Sequence, residues 1–506
     1  MAQISDLLEG VDTLEIRGDI SGEAGGLCYD SRKCENGSLF VAVSGARFDG
    51  HDFIPEAVRR GARYVVYDRE EPPRSLQATC IRVRDSRLAL AGLARNFFGN
   101  PSRNICLIGV TGTNGKTTVT FLLESILTAA GCSVGVMGTV NYRYAGATFP
   151  AVNTTPESLD LQRMLREMVD AGVTHVVMEV SSHAIDLKRV YGCAYDLGIF
   201  TNLSSEHLDY HRNMEAYFRV KKRFFDDVVC EHPAVVNGDD PWGARLLREI
   251  QTPVITFGCD ESRDVSAADV ALSPDGIETK IRHRGGAFAV SSPLTGRFNL
   301  SNILAASAAA LLIGIGPEDI CAGVKALTVV PGRLERVSVP GEPALFVDYA
   351  HTEDALENVL ATLLEFRKGR IITVFGCGGD RDRTKRPRMG KVAAAFSDLA
   401  IITSDNPRTE DPLEIIDDIE GGMESGSTRY APEEIMNGFT EKGYTVLADR
   451  KAAIHLAVSV ADSDDIILVA GKGHEDYQIV GTDKFPFDDR AVAREALLAR
   501  RTGGGH

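Results

Sequence analysis

The chain has 506 residues, of which 44% are hydrophobic and 25% are charged, and its formal net charge at pH 7 is -16. No apolar run approaches the ~18 residues that cross a bilayer, so the sequence predicts no membrane span. The acidic balance argues against nucleic-acid binding, because that binding draws most of its affinity from basic surface. It does not exclude small anions, which a few arginines, lysines and backbone amides can hold.

The start of the chain and its cysteines indicate a cellular compartment. The opening segment MAQISDLLEG lacks a basic stretch followed by an apolar one, so we expect no secretory signal and a cytoplasmic protein. Ten cysteines are scattered singly from Cys28 to Cys377, without a paired spacing. We therefore expect reduced thiols, most of them buried.

The length and the pattern of apolar runs predict three α/β domains, at roughly 150 residues per domain. Residues 1–100 show little alternation of strands and helices and predict a small mixed α/β domain. From residue 101 to 331, apolar runs alternate with helical segments, which predicts a parallel-sheet domain with crossover helices. A second such series predicts a Rossmann-like domain over 332–506, beyond a Pro-Gly turn. Ligands bind at the carboxyl ends of strands in such sheets, so those loops are the candidate sites.

Residues 105–127 predict a strand, a glycine-rich loop and a helix, the context of a nucleotide-phosphate loop. Lys116 would bring a positive charge to the phosphates, and the Thr117 hydroxyl would bind magnesium. The strict pattern has glycine five positions before Gly115, where this chain has Val110. A plain glycine-rich turn is the alternative, but it does not account for the lysine and threonine at the helix start.

Two further segments carry candidate magnesium ligands. Glu179 ends the apolar run HVVMEV, which places its carboxylate at the tip of a buried strand near the phosphate loop; a helix-capping acid is the alternative. His207 and His211 follow the next apolar run. A single histidine is more often a satisfied polar residue, but two in one loop indicate metal or phosphate binding.

The segment MEAYFRVKKRFFDDV, residues 214–228, has an apolar stripe at helical spacing. Lys221 falls within that stripe and Lys222 points away from it. A lysine buried there needs a partner or a lowered pKa, whereas one that extends along the stripe to solvent needs neither. A third possibility is a lysine that has reacted with carbon dioxide, because the resulting carbamate is anionic and can bind magnesium.

Together these segments resemble the Mur ligase superfamily of ATP-dependent amide-bond-forming enzymes. The similar segments are TGTNGKTT (111–118), MEVSSH (178–183), TNLSSEHLDYH (201–211), RVKKRFF (219–225), GRFNLSNILAA (296–306), PGRLE (331–335) and DYAHTEDAL (348–356). The resemblance implies ATP as co-substrate, an acyl-phosphate intermediate and two Mg²⁺ ions. It also implies closure of the domains about the PGRLE segment.

The same resemblance implies roles for particular residues. The catalytic residues would be Lys116, Glu179, His207 and Lys221, with Lys221 modified to N6-carboxylysine, and the metal ligands would be Thr117, Glu179, His207 and Lys221. The ATP-binding residues would be Gly112, Thr113, Asn114, Gly115, Lys116, Thr117, Thr118, Asn302, Arg333 and Asp348.

Within the superfamily, the chain is most similar to the enzymes that add the third residue of the peptidoglycan stem peptide. The segments DSRKCENGSLFVAVSG (30–45) and NTTPES (153–158) carry this similarity. The implied substrate is a UDP-N-acetylmuramoyl-dipeptide, bound by Ser31, Asn153, Thr154, Thr155, Ser181, Leu187 and Arg189. Leu187 stands where the family often has glutamine, which puts a side-chain hydrogen bond to the substrate in doubt. A monomer is expected.

Loops after strands of the third predicted domain indicate an amino-acid site. An α-amino acid needs an anion for its ammonium and a cation for its carboxylate, and Glu475 and Arg381 supply both; the alternatives are a solvated helix acid and a local ion pair to Asp380 or Asp382. The loop ITSDNPRTEDP (402–412) adds Arg408, whose planar fork suits a second carboxylate. The predicted binding residues are Arg381, Asp405, Asn406, Pro407, Arg408, Gly471 and Glu475.

That second carboxylate selects among amino acids. Meso-diaminopimelate carries a carboxylate at the far end of its side chain, where lysine has only an ammonium that Arg408 would repel. In the resembling enzymes the DNPR segment accompanies addition of diaminopimelate. Three alternatives stay open: a lysine-adding ligase of the same family, folylpolyglutamate synthetase, which the extended N-terminal segment and DNPR argue against, and a nucleotide-binding module without ligase activity, which the four catalytic residues argue against.

Overall fold

The structure is a computed structural model that describes residues 2–45, 48–70, 77–423, 427–436 and 438–503. Three large sheets follow one another along the chain, with helices packed on both faces of the second and third. None of the helices in these ranges is both long and apolar enough to cross a membrane. The α/β architecture predicted from the alternating apolar runs is confirmed.

The first sheet has five strands in the order β2, β7, β6, β5, β4, and all neighbours are parallel except β2 and β7. A two-stranded sheet of β1 and β3 lies in the same part of the chain. The strands are β1 (Ala2–Gln3), β2 (Thr13–Arg17), β3 (Glu23–Ala24), β4 (Gly26–Cys28), β5 (Ser38–Val41), β6 (Tyr64–Tyr67) and β7 (Thr79–Val83); the helices are α1 (Ile4–Leu7), α2 (Ile54–Arg59) and α3 (Ser86–Phe97), with 3-10 turns at Ser31–Lys33 and Gly50–Phe53.

The second sheet has eleven strands in the order β11, β10, β9, β12, β8, β13, β14, β15, β16, β17, β18. The strands are β8 (Cys106–Thr111), β9 (Val134–Met137), β10 (Asn141–Tyr144), β11 (Ala147–Pro150), β12 (His175–Glu179), β13 (Leu197–Phe200), β14 (Ala234–Asn237), β15 (Val254–Gly258), β16 (Val265–Ser273), β17 (Gly276–His283) and β18 (Gly286–Ser292). The helices are α4 (Lys116–Ala129), α5 (Ser158–Asp170), α6 (Ser182–Asp186), α7 (Leu208–His211), α8 (Met214–Arg223), α9 (Pro241–Glu249), α10 (Arg297–Leu312) and α11 (Pro317–Ala326), with a 3-10 turn at Pro101–Asn104 and a π-helical turn at Phe224–Val229.

The middle of this sheet is parallel and buried, from β9 through β12, β8, β13, β14 and β15 to β16. Its strands are apolar on both faces because separate cores cover them, one containing side chains of α5 and α8 and the other side chains of α4 and α10. Antiparallel hairpins extend both edges and had no counterpart in the predicted strand–helix alternation. The carboxyl ends of β8, β12 and β13 lie side by side.

The third sheet has seven strands in the order β19, β20, β25, β21, β22, β24, β23, parallel except at β19, and a hairpin of β26 and β27 follows. The strands are β19 (Glu335–Val337), β20 (Ala344–Asp348), β21 (Ile371–Phe375), β22 (Leu399–Ile402), β23 (Thr428–Arg429), β24 (Gly443–Val446), β25 (Ile466–Ala470), β26 (Tyr477–Val480) and β27 (Asp483–Pro486). The helices are α12 (Glu353–Glu365), α13 (Lys385–Phe396), α14 (Pro412–Glu420), α15 (Pro432–Met436), α16 (Arg450–Val460) and α17 (Asp489–Gly503).

A buried histidine joins two segments of the first sheet. His51 Nδ1 lies 2.6 Å from Asp49 Oδ1, and its Nε2 lies 3.0 Å from Asp68 Oδ1, just beyond β6. Burial lowers the pKa of His51, but the two carboxylates outweigh burial and the pKa is raised above its ordinary value. The pKa values of both aspartates are lowered against the effect of burial by the same histidine. The ion pairs therefore hold the Gly50–Phe53 turn against the end of β6.

The stability of this sheet should depend on pH. A raised histidine pKa contributes stabilisation that is complete below about 6.5 and is lost as pH rises through the folded-state pKa, and charged hydrogen bonds are worth about 1.5 to 3 kcal/mol. We expect His51→Gln to speed amide hydrogen exchange in β6 at pH 6 and to have a smaller effect at pH 9. The exposed His232→Gln is the control, and an equal effect of His51→Gln at both pH values would contradict the charged histidine.

Candidate active site

The loop between β8 and α4 is held in a tight conformation by its glycines. Gly112 has φ +146° and Gly115 has φ +87°. A Cβ atom on Gly112 would lie 1.9 Å from Thr201 Oγ1, and one on Gly115 would lie 2.3 Å from Asn302 Oδ1. Only glycine therefore fits either position, and the backbone amides at the start of α4 stay open to an anion.

A half-buried lysine, Lys116, and a buried one, Lys221, donate to one carbonyl oxygen of this loop. Lys116 Nζ lies 2.9 Å from the oxygen of Gly112 and 2.7 Å from that of Thr113. Lys221 Nζ lies 2.8 Å from the same Gly112 oxygen. Burial holds the pKa of Lys221 well below its ordinary value, and the nearby charge of Lys116 lowers it further. The site thus favours an uncharged amine at Lys221.

The predicted orientation of the two adjacent lysines is confirmed. Lys221 is 1% exposed, on the face of α8 that packs into the core. Lys222 points outward and pairs with Asp226 at 2.6 Å. The alternative in which Lys221 extends to solvent is therefore wrong. An uncharged lysine amine is the form that reacts with carbon dioxide, so the burial fits the predicted carbamate.

Glu179 lies at the end of β12, beside the phosphate loop. Its carboxylate accepts a hydrogen bond from Thr117 Oγ1 at 3.0 Å and from the amide and hydroxyl of Thr139 at 2.9 and 3.0 Å. The side chain is 1% exposed and does not cap a helix, so the capping alternative is wrong. A buried carboxylate beside a hydroxyl at a phosphate loop is a hard-oxygen pair that fits magnesium.

A cavity of about 310 Å³ opens at the phosphate loop, between the second and third sheets. Seven of the ten predicted ATP-binding residues line it, namely Asn114, Gly115, Thr117, Thr118, Asn302, Arg333 and Asp348. Asn202, Asp240 and Asp354 line it as well. Asn202 and Asp354 lie in two of the segments that carry the family resemblance, but no role was predicted for any of the three residues. The volume falls in the usual range of small-ligand pockets.

Contacts across this cavity join the central and C-terminal parts of the chain. Arg333 Nη2 donates to Thr117 Oγ1 at 3.2 Å, and its guanidinium lies 4.9 Å from the centre of the Tyr349 ring. Asn114 Nδ2 donates to Asp354 Oδ2 at 3.0 Å. The two parts thus already meet at the nucleotide cavity, and further closure stays a prediction.

A second cavity, of about 620 Å³, lies between the loop after β13 and the loops of the third sheet. It brings together His207 and six of the seven predicted amino-acid-binding residues, namely Arg381, Asp405, Asn406, Arg408, Gly471 and Glu475. Pro407 does not line it. The cavity therefore places candidate catalytic and amino-acid-binding residues of two sheets around one space.

The sequence reasoning missed Glu206, which lines the second cavity next to His207. Glu206 lies 3.6 Å from His351 Nε2 and 3.8 Å from His207 Nε2. Burial raises the pKa of Glu206, but His207, His351, Lys116 and Lys221 outweigh burial and lower it. A second carboxylate beside the lysines therefore stays ionised. An acid directly before His207 was the available signal.

The two histidines of the loop after β13 have different environments. Desolvation lowers the pKa of His207 although Glu206 opposes the shift, and the side chain stays 41% exposed. A lowered pKa favours the neutral imidazole, the form that binds metal. His211 is buried, contacts Ser182 Oγ at 2.9 Å and stacks on Tyr217. We therefore assign His211 to packing and keep His207 as the candidate ligand.

Within the described residues, no group of three or more His, Cys, Asp or Glu side chains is placed to hold a metal ion. The predicted ligands contain only Glu179 and His207 of those residue types. The other two are a threonine hydroxyl and a lysine that becomes a ligand only after modification. The predicted metal sites therefore stay predictions.

The predicted UDP-sugar residues fall into two places. Thr155 Oγ1 donates to the Glu179 carbonyl at 2.8 Å and lies 3.4 Å from Ser181 Oγ, and Arg189 donates to the Thr155 carbonyl at 3.2 Å. Thr154 lies 3.1 Å from Thr139.

Three predicted UDP-sugar residues remain: Asn153, Leu187 and Ser31. Tyr142 donates to the Asn153 carbonyl, and Leu187, at the end of α6, has no polar atom to replace the family's glutamine. Ser31 begins the 3-10 turn after β4, and its Oγ lies 3.4 Å from Glu56 Oε2. Nearby, the Tyr29 hydroxyl donates to Asp160 at 2.8 Å, so the segment of Ser31 faces the start of α5.

The C-terminal loops are held together by a buried lysine that the sequence reasoning missed. Lys472 is fully buried, and its Nζ lies 3.1 Å from Glu475 Oε2 and 3.2 Å from Asn406 Oδ1. Asn406 Nδ2 donates to the same carboxylate at 2.8 Å. Glu475 lies in a loop, so the helix-acid alternative is wrong. Arg381 donates to the backbone carbonyl of Asp380.

The fold and the two cavities define a phosphate-loop α/β enzyme with its site between domains. The chain belongs to the Mur ligase family, whose members are ATP-dependent enzymes that form amide bonds. The family descriptions that match are "Mur ligase family, catalytic domain" at residues 23–98, "Mur ligase middle domain" at 110–310 and "Mur ligase, glutamate ligase domain" at 332–473.

Similar proteins span the whole chain. A UDP-N-acetylmuramoyl-L-alanyl-D-glutamate–2,6-diaminopimelate ligase of Geobacter metallireducens is 50% identical and covers 98% of each chain. The enzyme of that name from Clostridium tetani is 41% identical over 98% of this chain and 99% of its own. A solved structure of a ligase with that name is 32% identical, with a TM-score of 0.70 over 99% of each chain. MurF from Thermotoga maritima in complex with ADP, at 20% identity and a TM-score of 0.59 over 94% of this chain and 96% of its own, shows the shared fold.

The buried lysine can be tested against its neighbour. We expect Lys221→Ala to lower ligase activity about 10²-fold or more, because it would remove the predicted anionic carbamate from the site. Lys222→Ala should retain activity, since its ammonium pairs with Asp226 outside the core. Short carboxylic acids should partly restore the activity of Lys221→Ala, measured as phosphate release, and should not change that of Lys222→Ala. Full activity of Lys221→Ala without added acid would refute the carbamate.

Lys472 should act through Glu475 and Asn406. We expect Lys472→Met to raise KM for the amino-acid substrate about 10-fold or more, with little change in KM for ATP, because the carboxylate loses its fixed partner. Lys472 Nζ lies 5.6 Å from the centre of the Tyr477 ring, and the exposed Lys484 places its Nζ 4.0 Å from the same ring, so Lys484→Met is the matched control.

The double variant Lys472→Met/Glu475→Gln separates a structural role from a positioning one. It removes the unpaired carboxylate, so it should recover thermal stability without recovering the amino-acid KM. If the double variant recovers both thermal stability and the amino-acid KM, Lys472 only stabilises the fold. The same conclusion follows if Lys472→Met changes the KM values of all substrates equally.

Proposed function

We propose that the chain is an ATP-dependent ligase that adds meso-diaminopimelate to UDP-N-acetylmuramoyl-L-alanyl-D-glutamate in peptidoglycan synthesis. The observation that carries the proposal is the second cavity, where Arg408 and Glu475 face His207 and Glu206. Relatives at 41 to 50% identity over nearly the whole chain, named for this reaction, support it.

The first step would be transfer of the terminal phosphoryl group of ATP to the substrate carboxylate. Both reactants are anions, so their repulsion must be screened before they can approach. Lys116 and the amides at the start of α4 would hold the phosphates, and Arg333 would add a charge from the C-terminal side. Asn302 and Asp348 would complete the nucleotide site.

Two Mg²⁺ ions would be held by Thr117 and Glu179, and by His207 and carbamylated Lys221. When bound, they would neutralise charge on the ATP oxygens and the substrate carboxylate. The residues of the chain would align that carboxylate with the terminal phosphate, which is where most of the rate enhancement in phosphoryl transfer arises. The acyl phosphate would then be attacked by the amine of the amino acid, with loss of phosphate.

The substrates would enter from two sides of the phosphate loop. Thr154, Thr155, Ser181 and Arg189 lie next to Glu179 and would hold the muramoyl-dipeptide, while Ser31 would contact the uridine diphosphate. We place the reaction in the cytoplasm, where ATP is supplied, and propose a monomer as the working unit.

The amino acid would be selected by the loop after β22. Arg408 has φ +53°, and its backbone bonds to Ile479 and Gly481 keep it beside β26. Arg408 Nη1 donates to the Gly379 carbonyl at 2.8 Å, which fixes the plane of the guanidinium at the cavity. A fixed guanidinium suits a distal carboxylate and repels a distal ammonium, which favours diaminopimelate over lysine.

One assay tests the function. The purified protein is incubated with ATP, Mg²⁺ and UDP-N-acetylmuramoyl-L-alanyl-D-glutamate, and meso-diaminopimelate or L-lysine is offered; phosphate and the tripeptide product are measured. We expect product with diaminopimelate only. Product with lysine alone would identify a lysine-adding ligase. ATP binding without product from either amino acid would reduce the protein to a nucleotide-binding module.

The selecting residue has its own prediction. We expect Arg408→Ala to lower kcat/KM for diaminopimelate about 10²-fold, because the distal carboxylate loses a two-point charged partner. KM for ATP and for the UDP-sugar should stay close to the wild-type values. Arg408→Lys should recover only part of the loss, since an ammonium cannot form the planar pair. Unchanged preference for diaminopimelate over lysine in Arg408→Ala would move selection to another residue.

A further inference from the structure

Two cysteines of the first sheet lie in sulfur contact. Cys28 Sγ, at the end of β4, lies 2.7 Å from Cys34 Sγ, just beyond the Ser31–Lys33 turn. Both thiols are free in this structure, and both side chains are buried, at 5% and 7% exposure. Among the described residues, no other two cysteines are in such contact.

Five of the ten cysteines are buried, so the expectation that most are buried is wrong.

We propose that Cys28 and Cys34 form a redox modification site, a dithiol that a small oxidant such as hydrogen peroxide converts to a disulfide. A disulfide needs the two sulfurs about 2.05 Å apart, so the bond forms with a small movement from the reduced position. The spacing of six residues carries no known motif, which is why the sequence pattern gave no sign of the pair.

The surroundings of the pair favour one sulfur as the attacking atom. The hydrogen bond between the thiols lowers the pKa of Cys34 and raises that of Cys28. Burial and the charges of Asp30 and Glu56 oppose the shift at Cys34, and Arg60 adds to it. Cys34 is therefore the thiol that reacts first. The Asp30 carbonyl oxygen lies 3.9 Å from Cys34 Sγ, and the Leu39 carbonyl oxygen lies 3.7 Å from Cys28 Sγ. Both are farther from these sulfurs than the sulfurs are from each other.

The reaction is balanced by one peroxide. The Cys34 thiolate attacks a peroxide oxygen, the O–O bond breaks, and hydroxide leaves, so that Cys34 becomes a sulfenic acid. The Cys28 sulfur then attacks the Cys34 sulfur, the S–O bond breaks, and the oxygen leaves as water with the Cys28 proton. Two thiols are oxidised to one disulfide while one peroxide is reduced to two waters.

The consequence for the enzyme rests on the proposed function. The disulfide closes a ring around Ser31, the proposed uridine-diphosphate contact, and Tyr29, whose hydroxyl donates to Asp160 on α5 at 2.8 Å. Drawing Cys34 toward β4 shifts the short turn that carries Ser31. Oxidation should therefore raise KM for the UDP-sugar several-fold and leave KM for ATP unchanged, because the phosphate loop lies in another sheet.

The chain itself offers a direct assay for the bond. Arg32 and Lys33 lie between the two cysteines, and the Arg32 side chain is 78% exposed. Trypsin cuts after both residues, so only a disulfide keeps the Cys28 and Cys34 peptides together. The reduced full-length protein is treated with hydrogen peroxide, alkylated, digested and analysed by mass spectrometry with and without reductant.

We expect a linked Cys28–Cys34 peptide that dithiothreitol separates. Cys28→Ser and Cys34→Ser should give no linked peptide, and Cys230→Ser, at an exposed cysteine, should give the same linked peptide as wild type. Oxidised Cys34 without a link, at peroxide levels that oxidise Cys230, would overturn the proposal.

The kinetic consequence is tested separately from the ligase function. Oxidised wild type should show the raised UDP-sugar KM, reductant should reverse it, and peroxide-treated Cys28→Ser should keep the KM of its untreated form. A linked peptide with unchanged KM would overturn the regulatory consequence. If the reduced protein makes no tripeptide at all, the proposed function fails, while the mass-spectrometric result still decides whether the disulfide forms.

Discussion

The side-chain nitrogens of the half-buried Lys116 and the buried Lys221 share the carbonyl oxygen of Gly112, and the chemistry proposed for the site depends on this crowding. Lys116 and Lys221 both lie within 2.9 Å of that oxygen. Two like charges so close in a buried place repel strongly, so one of them gains by losing its proton or by meeting an anion. The arrangement thus favours a neutral Lys221 and leaves Lys116 as the predicted partner of a phosphate. The Lys116 ammonium is therefore already positioned for an anion in the absence of ligand.

The crowding is produced by the order of strands in the second sheet. β8, with the phosphate loop at its end, lies between β12 and β13, so the ends of all three strands meet. Asn202, beyond β13, accepts from the amides of Thr113 and Asn114 and fixes the loop. α8 then returns over the sheet and brings Lys221 to the same oxygen. Parallel order therefore gathers side chains that are over one hundred positions apart in sequence, which no local pattern can show.

Residues that belong to a local pattern were accessible to prediction. The helical period identified Lys221 rather than Lys222 as the inward lysine, and the glycines around Lys116 identified the phosphate loop. Glu206 and Lys472 were missed because part of their significance comes from His351 and Asn406, which lie in loops after other strands. The Cys28 and Cys34 contact was missed for another reason, since a local turn of the backbone, and not a motif, brings the sulfurs together. Sequence periodicity reports on which face a side chain occupies, and only the fold reports on what it meets there.

Although the chain is acidic overall, cationic side chains from two domains come together around its two cavities, where anionic substrates could bind. Lys116 and Lys221 come from the second sheet, whereas Arg333 and Arg408 come from segments of the third. Arg333 reaches Thr117 only while the two domains are in contact, and Tyr349, from its own domain, supports its guanidinium. The positive charge at the nucleotide therefore depends on domain contact. If ATP neutralises that charge, it would favour the contact between the two domains, so the predicted closure about residues 331–335 would bring the amino-acid loops toward His207.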